Sequence, residues 1–350
     1  MDPQMHRGEP PAFLALVGPT GSGKTGLSLE VGRHLPAEVV SMDSRQIYRG
    51  MDVGTGKVSL RERALLPHHG LDLRDPDERY SAGQFARDAR GWIRDIQGRG
   101  RVPLLVGGTG FFLRALVRPL FKEPEMDRKR LERLRSFLNR LPLDEVHTYM
   151  KVLEPGRAQE AGKGGRQRLT RAVEVALLTG RTLPEWHREP ETAVEPLQGL
   201  VFLLSLPREV LYERIDRRVG QMLEEGWVEE VTDLLEAGYR PEDPGMTGAG
   251  YREIVRFLLE DAGLDEVAEE IRRTHRRYAR RQTTWYRHQL GEGTVALDGT
   301  LPVEELARQV VEAWGLAQDP AFRAGEQAQD PAFRAGEPGE GGRTGMEKVL

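Results

Sequence analysis

The segment Gly18–Thr25 constrains the fold more than any other part of the chain. Its sequence, Gly-Pro-Thr-Gly-Ser-Gly-Lys-Thr, matches the phosphate-loop pattern at every defined position. The apolar run from Ala12 to Val17 predicts a short buried strand before it, and Leu27, Val31 and Leu35 predict a helix after it. Strand, loop and helix in this order are the context in which the pattern binds phosphate.

Each part of this loop suits a di- or triphosphate. Glycines let several backbone N–H groups point inward, and the N-terminus of the helix adds partial positive charge. Lys24 brings a full charge, and the hydroxyl of Thr25 can bind Mg²⁺. We therefore predict a phosphate site formed by Gly18, Pro19, Thr20, Gly21, Ser22, Gly23, Lys24 and Thr25. The loop alone leaves open whether phosphate is transferred, hydrolysed or expelled.

Strands and helices alternate beyond the loop. Apolar runs predict strands at Glu38–Met42, Val102–Gly107 and Leu200–Leu206, and an amphipathic pattern predicts a helix at Ser81–Gln97. This alternation indicates an α/β fold with a doubly wound parallel sheet, built from residues 12–118 and 197–315. Ligands of such sheets bind at the carboxyl ends of the strands.

Two segments depart from this pattern. Residues 119–196 are charged and helical in character with no buried strand, so we predict a small all-helical domain inserted into the sheet domain. Near the end of the chain, Ala317–Glu326 recurs word for word at Ala328–Glu337. Because this region is rich in Pro and Gly and poor in apolar residues, we predict a disordered tail over residues 316–350.

The charge is unevenly distributed. The formal net charge is −4, yet Ile271–His288 carries seven arginines and no acidic residue. Such a cationic segment indicates a polyanionic partner larger than a nucleotide. The absence of cysteine excludes disulfides, thiol catalysis and cysteine-bound zinc. No apolar stretch has the length of a membrane span or a secretion signal, so we expect a cytoplasmic protein without a membrane partner.

Several polar residues are candidates for chemistry, each with a purely structural alternative. Asp43 follows a predicted strand and could bind a ribose, hold a metal-bound water, act as a general base or cap a turn. Thr109 could contact a ligand or simply form a turn. The arginines Arg214, Arg217 and Arg218 could neutralise a phosphate or lie on a solvated helix face.

Several segments, in order from about Ala12 to His288, resemble the tRNA dimethylallyltransferases. Besides the phosphate loop, they are Asp43–Thr55, Tyr80–Phe85, Val106–Gly110, Arg166–Glu174, Gly248–Glu253 and Tyr278–Trp285. The resemblance implies an enzyme that moves the dimethylallyl group of dimethylallyl pyrophosphate to N6 of adenine 37 in tRNA, next to the anticodon. It also implies that the phosphate loop holds the pyrophosphate leaving group.

The resemblance further assigns roles to residues. Asp43 would take the proton, while Lys24, Thr25 with Mg²⁺, and Arg217 would stabilise the departing pyrophosphate. The inserted domain would clasp the anticodon stem-loop. Contacts to tRNA would come from Asp43, Ser44, Arg45, Gln46, Thr109, Arg166, Gln167, Arg168, Leu169 and Thr170. We expect a monomer.

Two other functions remain compatible with the motifs. A kinase of the nucleoside-monophosphate type shares the phosphate loop, the acid after the second strand and an arginine lid, but has no use for the cationic segment. An RNA-binding, NTP-dependent assembly factor would need a switch acid and a water-positioning residue, and the sequence offers no candidate for them.

Overall fold

The computed structural model describes residues 11–118, 124, 126–155, 165–188, 196–260, 263–291 and 293–319. The described residues form two compact units, one within 1–117 and 197–350 and the other within 118–196. Both divisions lie within one residue of the predicted domain boundaries.

The first unit is built on a parallel sheet of six strands in the order β3-β2-β4-β1-β5-β6. The strands are β1 (Phe13–Val17), β2 (Ala37–Ser41), β3 (His68–His69), β4 (Val102–Gly107), β5 (Gly199–Ser205) and β6 (Val295–Asp298). All five residues of β1 are buried, since helices cover both faces of a doubly wound sheet. In the register, Leu16 of β1 lies beside Val106 of β4 and Phe202 of β5.

Helices connect these strands as the alternation predicts. They are α1 (Lys24–His34), α2 (Leu60–Leu65), α3 (Ala82–Gly98), α4 (Gly110–Val117), α9 (Arg208–Glu224), α10 (Trp227–Glu236), α11 (Tyr251–Leu259), α12 (Leu264–Gln289) and α13 (Val303–Gln318). Helix α3 begins after a capping box, in which Ser81 Oγ accepts from the backbone N–H of Gln84 and Gln84 Oε1 accepts from the backbone N–H of Ser81.

Two apolar clusters stabilise the first unit. One lies between the sheet and helices α1 and α13 and includes Leu16, Leu27 and Val310, all fully buried. The other includes Ile47, Tyr48 and Met51 of the segment 44–57 and is centred on Trp227, which packs edge to face on Tyr251. The second cluster gives the polar segment 44–57 a rigid support.

The second unit contains helices α5 (Arg128–Arg140), α6 (Leu143–Leu153), α7 (Gly165–Thr179) and α8 (Leu183–His187). Its described residues include no strand, as predicted. The core includes Leu138, Val146 and Val173. Arg135 neutralises the buried carboxylate of Glu174 through two hydrogen bonds of 2.6 Å. The sequence also predicts an exposed loop at Glu160–Gly165, and all of this segment except Gly165 lies outside the described residues.

The C-terminal helix differs from the prediction. Helix α13 continues through Gln318, so the boundary predicted at residue 316 is three residues too early. The helix buries Trp314 in the core, and the first proline after it is Pro320. Residues 320–350, and with them most of the repeated segment, lie outside the described residues. Over the described residues, no helix combines the length and apolarity needed to cross a membrane.

Candidate functional site

The carboxyl ends of β1, β2 and β4 bring the predicted site residues to one edge of the sheet. The phosphate loop follows β1, Asp43 follows β2 and Thr109 follows β4. Thr109 links the end of β4 to the end of β2, because its N–H donates to the carbonyl of Met42 (3.1 Å) and its Oγ1 accepts from the N–H of Ser44 (3.1 Å). A Cβ on Gly107 would lie 2.2 Å from Met42 O, so this close approach of the strand ends requires glycine.

The phosphate loop adopts a conformation that its glycines permit. Gly21 and Gly23 have φ values of +80° and +95°, in the left-handed region. A Cβ on Gly21 would also meet Ile215 of α9 at 2.9 Å. Helix α1 begins directly afterwards at Lys24, which places its positive end at the loop.

The ammonium of Lys24 lies inside the loop. Its Nζ donates to the carbonyls of Gly18 (2.9 Å) and Pro19 (2.8 Å). Burial, followed by the nearby charge of Arg218, lowers the pKa of Lys24 to about 7, while Asp43 acts in the opposite direction. An anion that binds here would therefore favour the protonated form of Lys24.

Arg218 of α9, rather than Arg217, faces the loop. Its Nη1 donates to Thr20 Oγ1 (3.3 Å) and its Nη2 to the carbonyl of Thr55 (3.4 Å). Arg217 has a side chain that is 64% exposed and pairs with Glu213 of the same helix (2.6 Å). The structure therefore does not support the role predicted for Arg217 and gives the position to Arg218. Arg214 also lies near the loop and donates to the carbonyl of Gly299 (3.2 Å).

Asp43 has one carboxylate oxygen fixed by a hydrogen bond and lies near enough to Lys24 and Arg218 to affect the pKa of both. Its Oδ1 accepts from the backbone N–H of Arg45 (2.8 Å). Within the described part of the chain, no hydrogen bond reaches its other oxygen, Oδ2. Asp43 raises the pKa of both Lys24 and Arg218 against the larger effect of burial, so its charge acts on both cations. One carboxylate oxygen thus remains available as an acceptor beside a cationic phosphate loop.

The residues after Asp43 are largely engaged within the protein. Arg45 Nη1 donates to the carbonyl of Pro244 (2.7 Å). The Gln46 amide accepts from Ser41 Oγ (3.0 Å) and donates to the carbonyl of Gly56 (3.2 Å). Ser44 donates its N–H to Thr109, as described above. These three predicted tRNA contacts therefore also shape the segment 44–57.

Two further charged residues, which the sequence analysis did not identify, fix this segment. Glu230 of α10 accepts from the N–H groups of Asp52 and Val53, both at 2.6 Å, and from the hydroxyl of Tyr251 at 2.6 Å. The side chain of Lys57 is 1% exposed and donates to carboxylates of Asp52 and Asp72 at 2.5 and 2.7 Å. The backbone partners of Glu230 lie 177 and 178 positions away in the sequence, so no local pattern indicates them.

Helix α12 presents two different faces. Its buried face carries Gln282, which hydrogen-bonds both Thr20 of the phosphate loop and Gly108 after β4. Burial raises the pKa of Tyr278, on the same helix, to about 12. The exposed face carries the arginine stripe, defined as Arg273, Arg277, Arg280 and Arg287.

The arginine stripe is free of ion pairs to the acidic residues that the structure describes. Two other arginines of the same segment do form ion pairs: Arg272 pairs with Glu269, and Arg276 pairs with Asp216. The cationic segment therefore divides into arginines that serve the fold and arginines that remain exposed to a partner.

The family model described as IPP transferase matches residues 46–289. The chain belongs to this family. A tRNA dimethylallyltransferase of Syntrophobacter fumaroxidans is 40% identical over 278 residues, which cover 78% of this chain and 80% of that protein. The tRNA dimethylallyltransferase of Thermomicrobium roseum is 42% identical over 279 residues, 78% of this chain and 83% of that protein.

Solved structures agree with this membership. The full-length tRNA isopentenylpyrophosphate transferase of Bacillus halodurans superposes with a TM-score of 0.63 at 32% identity, covering 87% of this chain and 97% of that one. A eukaryotic dimethylallyltransferase, described as acting on tRNA, gives a TM-score of 0.68 at 28% identity, covering 82% of this chain and 73% of that one.

In this IPP transferase family member, the predicted tRNA contacts of the second unit have three kinds of surroundings. Gln167 and Arg168 at the start of α7 are exposed. Leu169 and Thr170 are buried, with Leu169 in the core of the unit, and their contact with tRNA stays a prediction. Arg166 donates to the carbonyls of Leu138 and Leu141 and thereby joins α7 to the end of α5.

The residues present fit a metal ion that is shared with a phosphate ligand. Among the described residues, no group of three or more His, Cys, Asp or Glu side chains could hold a metal by itself. Thr25 is exposed in the first turn of α1, beside the loop. Mg²⁺ bound to phosphates needs only one or two protein ligands, and a threonine hydroxyl at this position is a suitable one.

Proposed function

We propose that this protein transfers the dimethylallyl group of dimethylallyl pyrophosphate to N6 of adenine 37 in tRNA, releasing pyrophosphate. The observation that carries the proposal is the position of Asp43, with one free carboxylate oxygen, at the same sheet edge as a phosphate loop that contains Lys24 and faces Arg218. The names of the relatives give the chemical class, and this geometry supplies the groups that the reaction needs.

The charges at the site suit an allylic displacement. N6 of adenine attacks the allylic carbon, the bond from that carbon to the pyrophosphate oxygen breaks, and pyrophosphate leaves with the bonding electrons. Lys24, Arg218 and the N-terminus of α1 stabilise the negative charge that develops on the leaving group. Asp43 Oδ2 takes the proton from N6, which the nitrogen loses on becoming a secondary amine. Mg²⁺ held at Thr25 would supply further charge neutralisation when bound.

Because tRNA is a large polyanion, the proposed substrate requires a cationic surface on the protein as well as a small-molecule site. An adenine inside a stacked stem-loop must leave its stack to reach Asp43. The arginine stripe of α12 offers contacts to tRNA phosphates, and Arg168 offers another on the second unit. We infer that the protein acts as a monomer on cytoplasmic tRNA.

Nucleoside mass spectrometry tests this proposal. The purified protein is incubated with Mg²⁺, dimethylallyl pyrophosphate and an unmodified tRNA that has adenine at position 37. We expect one five-carbon group on that adenine, and none when the same tRNA carries guanine there. ATP-dependent phosphorylation of a nucleoside monophosphate without any prenyl product would instead establish the kinase alternative.

A further inference from the structure

Gln282 occupies an unusual position for a polar side chain. It is 8% exposed and lies on the buried face of α12 together with Ala279 and Tyr286, at helical spacing i, i+3 and i+7. A buried amide must form its hydrogen bonds inside the protein to avoid a desolvation cost. Gln282 does so by joining two segments that are far apart in the sequence, the phosphate loop and the end of β4.

The orientation of this amide is determined by its partners. Oε1 accepts from the backbone N–H of Thr20 (2.9 Å), and Nε2 donates to the carbonyl of Gly108 (2.8 Å). A flipped amide would place two donors together at Thr20 and two acceptors together at Gly108. The fit is also tight, since a Cβ on Gly108 would lie 2.4 Å from Nε2.

Thr20 connects this amide to the cation of the site. Its backbone N–H is bound to Gln282, and its Oγ1 accepts from Arg218. A shift of Thr20 would therefore move the partner of the Arg218 guanidinium, while a shift of Gly108 would affect Thr109 and the Asp43 turn beyond it. Gln282 thus stands between the group proposed to stabilise pyrophosphate and the group proposed to take the proton.

We propose that Gln282 is a positioning residue that sets the distance and orientation of the phosphate loop relative to the end of β4. It acts through Thr20 and Gly108 and touches no substrate. Gln282 lies on the same helix as the arginine stripe. Its hydrogen bond to Thr20 therefore links the surface proposed to contact tRNA directly to the phosphate loop. The catalytic part of this inference rests on the proposed function.

The test compares Gln282→Met, Gln282→Glu and a control, Gln289→Glu. Gln289 is a half-buried glutamine of the same helix, and it accepts from Arg114, away from the phosphate loop. Gln282→Met keeps the side-chain volume and removes both hydrogen bonds. We expect it to weaken inorganic pyrophosphate binding by about tenfold in calorimetry and to lower kcat at least as much, with KM for tRNA little changed. The control should stay within about twofold of wild type.

Gln282→Glu gives a signature that a purely structural role would not produce. Its carboxylate still accepts from Thr20 but repels the carbonyl of Gly108, whereas its protonated form can donate to that carbonyl. We therefore expect pyrophosphate binding, relative to wild type at each pH, to recover as the pH falls from 8 to 5.5. This comparison remains decisive if Gln282→Met does not fold.

Two results would overturn the proposal. One is a folded Gln282→Met variant with wild-type pyrophosphate affinity and kcat. The other is a Gln282→Glu variant whose relative affinity does not change with pH. Pyrophosphate binding does not require prenyl transfer, so failure of the proposed function, seen as wild-type protein without a prenyl product, remains distinguishable from failure of this inference.

Discussion

At the scale of single residues, adjacent arginines on α9 differ entirely in their surroundings. The buried stripe of this helix comprises Leu211, Ile215, Val219 and Met222. At 3.6 residues per turn, Arg218 lies about 55° from the centre of that stripe and Arg217 about 155° from it. The helical periodicity of the sequence therefore predicts that Arg218 lies at the edge of the buried face. The arginine cluster alone does not indicate which of its members faces the protein.

This difference gives a matched pair of variants. Arg218→Gln should lower kcat for prenyl transfer by about 10²–10³, because it removes a charged donor from the developing pyrophosphate. Arg217→Gln should remain within about twofold of wild type, because its exposed side chain pairs with Glu213 at the surface. Steady-state kinetics with saturating tRNA measures both. Equal losses for the two variants would contradict the assignment.

The lowered pKa of Lys24 predicts proton uptake on ligand binding. With a pKa of about 7, the free amine is mostly neutral at pH 8, and a bound diphosphate raises that pKa by favouring the charged form. Calorimetry of pyrophosphate binding at pH 8, in two buffers of different ionisation enthalpy, should show more proton uptake for wild type than for Lys24→Arg, whose guanidinium is always charged. At pH 6 the difference should shrink. Identical uptake for the two proteins at pH 8 would show that Lys24 is already charged in the free protein.

At the scale of elements, the strands and helices were predictable and their contacts were not. The strands β1, β2, β4 and β5 appear as apolar runs, and Ser81 with Gln84 marks the start of α3, because these signals are local. The residues that hold the site together, such as Glu230 and Gln282, act on segments 174–262 positions away. Such pairings follow from the packing of whole helices, so no spacing in the sequence indicates them.

Helix α12 combines a structural face and an exposed cationic face, which can be tested separately. Changing Arg273 and Arg280 to Ala should weaken tRNA binding and reduce the slope of log K against log salt by about 1–2, since each lost phosphate contact contributes roughly 0.7–0.9. Pyrophosphate affinity should not change.

The control for this variant is Arg276→Ala. Arg276 is bound to Asp216, so its loss should affect the unfolding free energy more than the salt slope. Filter binding over a range of salt concentrations provides the measurement. An unchanged slope for the Arg273 and Arg280 double variant would assign the stripe to ordinary solvated surface.

At the scale of the whole molecule, a buried histidine, His275, contacts the apolar cluster around Trp227 and couples stability to pH. Burial, and then the charge of Arg218, lowers the pKa of His275 from 6.5 to about 4. The ring centroid of His275 lies 5.9 Å from that of Trp227. Below pH 6.5 the unfolded chain binds a proton that the folded protein takes up only near pH 4, so stability decreases as the pH falls through this window.

Replacing this histidine isolates its contribution. Between pH 6.5 and 4, wild type should lose up to about 3 kcal/mol more unfolding free energy than His275→Gln, which does not titrate. Protonation of paired carboxylates, such as Asp72 with its two cationic partners, also destabilises the folded protein. These carboxylates are present in both proteins, so their contributions cancel in the comparison. Urea unfolding at a series of pH values measures the difference. If the unfolding free energies of the two proteins decreased in parallel below pH 6.5, His275 would have an ordinary pKa.

The proposed function depends most directly on Asp43 as the proton acceptor beside a loop that holds the leaving pyrophosphate. The single-turnover rate and the tRNA affinity of Asp43→Asn test it together, with Asp75→Asn, an exposed aspartate paired with Arg49, as the control. The asparagine can still accept from the N–H of Arg45, so the turn should persist while the base is lost. We predict a rate lower by about 10²–10⁴ with tRNA affinity within about twofold of wild type. A variant that loses tRNA binding but keeps its rate would contradict the account.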